Sequence, residues 1–79
     1  MLSDLTIMTL QLSYTEFKIL SLLMREYDAG EIATKLDLPE YIVRSKIADI
    51  SVKYGAKNMV GLVKNVLVQG IPFPSEDQN

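Results

Sequence analysis

The chain contains neither cysteine nor histidine. Their absence removes a disulfide framework, a zinc site of the usual Cys/His kind, and any serine or cysteine nucleophile activated by an imidazole. A glycine-rich phosphate loop is also missing. The carboxylates are scattered over polar helix faces and do not form the spaced pair that acid/base work requires. Catalysis is therefore not expected, and neither is a cofactor or a metal.

Long hydrophobic runs are lacking as well. The apolar opening MLSDLTIMTLQ is far too short to span a membrane, and it has neither the charged start nor the small-residue cleavage site of a secretory signal. A cytoplasmic location without membrane partners is the default expectation. The 79 residues, 48% of them hydrophobic, supply one core but not two. Positive charge is in short supply too, with a formal net charge of −2. Between Leu12 and Ile71, however, eight Lys/Arg face seven Asp/Glu, and the acidic excess lies in Asp4, Glu76 and Asp77 at the ends.

What the chain does have is punctuated helical patterning. Ser13 with Glu16 forms a capping-box pattern, so a first helix starts there. Phe17, Ile19, Leu20, Leu22 and Leu23 supply its apolar side, with Glu16, Lys18, Ser21 and Arg25 outward. Asp28 with Glu31 repeats the start signal for a short second helix, whose buried side is Ile32, Ala33 and Leu36. Only Asp37-Leu38-Pro39 follows before a third helix, which begins at about Pro39 or Glu40 because proline suits a first turn. Gly55 is placed to end it in a left-handed conformation. Asn58 caps a fourth helix running to about Gln69, closed by Gly70 and Pro72. The expected organisation is an arm over residues 1–11, an all-α, four-helix domain over 12–71, and a flexible tail over 72–79.

Two faces of the third helix differ. Val43, Ile47, Ile50 and Tyr54 recur at helical spacing and form a stripe for the core. Tyr41, Arg44, Ser45, Ala48, Asp49 and Val52 lie opposite, with Lys46 and Lys53 on the flanks. A short helix, a tight turn and a longer helix with a polar outer face make a helix-turn-helix pattern, whose last helix is a candidate reader of duplex DNA. The fourth helix is apolar on two sides. Val60, Val63 and Leu67 form one stripe, and Met59, Leu62 and Val66 a neighbouring one; one covers the core, and the other is either left for a partner or covered by residues 1–11.

In this order, Leu12 to Ile71 resembles the LuxR-type (GerE-like) helix-turn-helix domain of bacterial regulators, without gaps. The resemblance is carried by Leu12-Ser13 with Glu16 and Ile19-Leu20-Ser21-Leu22-Leu23, by Glu31-Ile32-Ala33-Thr34-Lys35-Leu36, by Pro39-Glu40-Tyr41-Ile42-Val43-Arg44, and by Lys53-Tyr54-Gly55-Ala56. It implies a transcriptional regulator with its third helix in the major groove and its fourth in a dimer contact. Arg44 and Lys53 stand at positions that are commonly basic in the family, and Ser45 is compatible with a base-edge or phosphate hydrogen bond. The expected DNA-binding residues are Arg44, Ser45, Lys46, Lys53 and Tyr41; the expected dimer or partner residues are Met59, Leu62, Val63 and Val66.

The chain also departs from the family pattern. Ala48 and Asp49 stand where relatives often place polar or basic groups, and a carboxylate near phosphates is repelled unless it accepts from a cytosine amino group. Met59 and Val60 replace a basic residue and a threonine that face the backbone, and Pro39 replaces a capping serine or threonine. The acidic overall charge, Asp49, Met59 and Val60 support an alternative: an interaction protein of the same fold that no longer binds DNA and instead modulates a regulator or polymerase subunit.

Overall fold

The computed structural model describes residues 10–74. Among these residues there are four helices and no strand: α1 Tyr14–Leu23, α2 Ala29–Leu36, α3 Glu40–Lys53 and α4 Met59–Gln69. The expected arm falls largely outside the described residues. Of the arm only Leu10 and Gln11 are described: Leu10 packs against the core and Gln11 is exposed, while Leu12, the first residue of the expected domain, is buried in the core.

Local chemistry sets three of the four helix starts. Ser13 Oγ accepts from the Glu16 amide while Glu16 Oε1 accepts from the Ser13 amide, at 3.1 and 2.9 Å. Asp28 and Glu31 repeat this exchange at 2.8 and 2.9 Å. Asn58 Oδ1 accepts from the Gly61 amide at 2.8 Å. Each contact satisfies a donor that the first turn would otherwise leave orphaned. Pro39 caps α3 with no side-chain hydrogen bond.

Three helices also end alike. After α1 the Tyr27 amide donates to the Leu22 carbonyl and the Glu26 amide to Leu23; after α2, Leu38 donates to Ala33 and Asp37 to Thr34; after α3, Ala56 donates to Ser51 and Gly55 to Val52. Such paired bonds reverse the chain through one left-handed residue. That residue is Glu26 (φ 72°), Asp37 (φ 57°) and Gly55 (φ 67°) in turn. Only Gly55 adopts the conformation without a steric cost. The left-handed end at Gly55 was expected, whereas those at Glu26 and Asp37 carry no glycine signal.

The core forms where α3 packs against both α1 and α2. Ile19 and Leu20 of α1, Ile32 and Ala33 of α2, and Val43, Ile50 and Tyr54 along α3 are buried together with Leu62 and Val66 of α4. Tyr54 ties α4 to this unit twice: its hydroxyl donates to the Gly70 carbonyl at 2.7 Å, and its own carbonyl accepts from Asn65 Nδ2 at 2.8 Å. Burial raises the Tyr54 hydroxyl above its ordinary value, so it remains a neutral donor at neutral pH. Beyond α4 the chain turns back onto α1, where the Phe73 and Phe17 rings lie 5.6 Å apart. Of the expected tail, residues 75–79 lie outside the described residues, and Phe73 touches α1 while remaining 87% exposed.

Glu16 departs from its expected outward position. It is buried with only 4% exposure, because Lys53, at the far end of α3, reaches it with Nζ 2.7 Å from Oε1. One carboxylate therefore caps α1 and also fastens α3 to it.

Candidate nucleic-acid interface

The outer surface of α3 follows from its inner one. With Val43 and Ile50 wholly buried and Tyr54 nearly so, a 3.6-residue period turns Tyr41, Ser45, Ala48 and Val52 to the opposite side. All four are exposed, Tyr41 at 71% and Val52 at 77%. None is charged. Arg44 lies on one side of this strip, while Lys46 and Lys53 lie on the other. Asp49 is exposed beside the strip, and no ion pair among the described residues includes it.

The three cations of α3 have different surroundings. Arg44 is open, its side chain 67% exposed, and it donates through Nε and Nη2 to Glu40 Oε2, one turn earlier, at 2.9 and 2.6 Å. An exposed pair of this spacing contributes only about 0.3–0.5 kcal/mol. Lys53 has a partner that cannot turn to water, since the Glu16 side chain is 6% exposed. Burial by itself would raise the Glu16 carboxyl. The hydrogen bonds from Lys53 and the Ser13 amide, with the charges of Lys53 and Lys46, outweigh burial and hold it below its ordinary 4.5. Lys46 is half-buried on the same flank.

Of the expected DNA-binding residues, Tyr41, Arg44 and Ser45 therefore lie together on the open surface. Lys53 is committed to holding α1, and Lys46 contributes charge from the edge. The expected partner surface needs a larger correction. Leu62 and Val66 are 1% and 4% exposed and belong to the core, because Tyr54 and Asn65 fix the rotation of α4 about its axis. Met59 is 45% exposed and Val63 half-buried. The stripe left open is the other one: Val60 at 79% and Leu67 at 74%, joined by Val68 at 79%. Val63 and Met59 border an open pocket of about 470 Å³ whose wall includes Leu23, Tyr27, Ile47 and Arg44. The pocket brings one expected DNA-binding residue beside two expected partner residues.

No helix of the described residues is long and apolar enough to cross a membrane. The described chain belongs to the all-α class, with four helices. Comparison with protein-family models, curated proteins and solved structures gave no match.

Proposed function

We propose that the chain binds duplex DNA with α3 lying in the major groove, as the DNA-contacting part of a transcriptional regulator, and that two copies join through α4. One observation carries this reading: the exposed face of α3 has an uncharged centre, with Arg44 on one flank and Lys46 on the other beside Asp49. A major groove presents base edges on its floor and phosphates on both rims. Its width of about 12 Å matches a helix with its side chains. The strip from Tyr41 to Val52 suits the floor, and Arg44 and Lys46 suit the rims. Phosphate can replace Glu40 at Arg44 with little loss, because the exposed pair is weak. The LuxR-type resemblance of Leu12 to Ile71 supports the same assignment.

The dimer contact is assigned to Val60, Leu67 and Val68. Leu67→Asp is expected to leave the fold intact and abolish self-association in sedimentation runs. Leu62→Asp, placing a carboxylate in the core, is expected to unfold the chain. Should both variants remain folded and associated, α4 is not the contact.

A fluorescence anisotropy titration with promoter-length duplexes at low salt tests the DNA reading, with Arg44→Ala as the variant. The expected outcome is salt-sensitive binding that the variant weakens about tenfold.

A second reading, an interaction protein that does not bind DNA, is favoured by the acid partners of Arg44 and Lys53. It predicts a stoichiometric protein partner and no retention on duplex DNA or heparin.

A further inference from the structure

Resting on the duplex-binding reading, we infer that α3 reads pyrimidines, with Ala48 and Val52 against thymine methyl groups and Asp49 accepting from a cytosine amino group. All three side chains are exposed on the outward part of α3. Ala48 and Val52 have no donor or acceptor. Against a guanine or adenine edge they would leave base nitrogens and oxygens desolvated and unpaired, whereas thymine alone offers an apolar group in the major groove. Four residues of helix advance about 6 Å, or about two base-pair steps of 3.4 Å, so the two side chains meet pairs about two steps apart.

Asp49 sets the third preference. A carboxylate accepts and cannot donate, and phosphates repel it, so it is tolerated in the groove where a base donor faces it. Cytosine N4 is such a donor. One turn on, Lys53 would be the natural partner for Asp49. Lys53 instead spans 37 residues to Glu16, with Nζ 2.7 Å from Oε1. The bridge that fastens α1 to α3 thereby leaves the Asp49 carboxylate available to a base.

The test is selection of bound duplexes from a randomised pool by the whole chain, followed by titration of a selected duplex. The expected result is enrichment of thymine runs interrupted by cytosine. Replacing the contacted thymines by deoxyuridine, which removes only the methyl, weakens binding about fourfold for each methyl. Asp49→Asn shifts the preference at the cytosine position towards adenine, the base that a carboxamide pairs with. Asp49 is exposed, so circular dichroism of the variant should match that of the parent. Duplex binding that ignores deoxyuridine and keeps its base preference in Asp49→Asn overturns the pyrimidine readout while leaving duplex binding in place. Failure to retain any duplex at low salt overturns both.

Discussion

The two ion pairs of α3 are built from the same kinds of side chain and do different work. Arg44 and Glu40 stand one turn apart on an open surface, and both side chains are about half exposed or more. Lys53 and Glu16 are separated by 37 residues, and the carboxylate is buried. Water competes for the first pair and is kept from half of the second. The first is replaceable by a ligand, and the second is part of the fold. Two basic residues on one helix, both expected from the sequence to contact DNA, thus divide into one with an exposed, replaceable partner and one held for structure.

Lys53→Met breaks this comparison most sharply. It leaves Glu16 buried without its cation, and should cost about 2 kcal/mol. This is below the ~3–5 kcal/mol of a fully buried pair, because Lys53 is partly exposed and the Ser13 amide remains bound. Arg44→Met should change stability by less than about 0.5 kcal/mol. Urea denaturation of the two variants measures both, and equal losses would mean that the pairs are equivalent.

Acid should then erase the larger difference. Because the folded-state carboxyl of Glu16 is held below 4.5, its contribution is present above that value and is lost as pH falls through the lower folded value. The stability gap between the parent and Lys53→Met is expected to be steady near neutral pH and to close as pH drops below about 4.5. A gap that persists at pH 2 would assign the Lys53 effect to packing of its stem.

The smallest expected effect concerns helix ends. Glu26→Gly relieves a left-handed non-glycine residue and should stabilise the fold by about 0.5–1 kcal/mol, whereas Gly55→Ala should lose about as much. Thermal or urea midpoints report both. A neutral Glu26→Gly would show that the loop after α1 relaxes without it.

Features settled by neighbours in the chain were legible before the structure. The caps at Ser13, Asp28 and Asn58 are written in contacts between residues three apart, and the helices begin where those contacts put them. The core stripe of Val43, Ile47, Ile50 and Tyr54 follows from its period; three of the four are buried, and Ile47 packs against them.

What eluded sequence reasoning depends on distant partners. Both stripes of α4 are apolar, so composition could not rank them. Asn65 and Tyr54 decide that Leu62 and Val66 face in and Val60 and Leu67 face out. Glu16 looks like an exposed capping residue until Lys53 closes over it. Glu26 and Asp37 end helices without glycine, which a search for helix-ending glycines misses. The outer face of α3 was legible as a list of residues. Which of its cations remains free was not, because that depends on the tertiary path of Lys53.

The most direct measurement is the salt dependence of duplex binding by the parent chain and by Arg44→Ala. The expected result is binding at low salt, an affinity about tenfold lower for the variant, and a plot of log affinity against log salt that is shallower by about 0.9, the change for one lost phosphate contact. Absence of duplex binding at low salt, or a variant with unchanged affinity and slope, would contradict it.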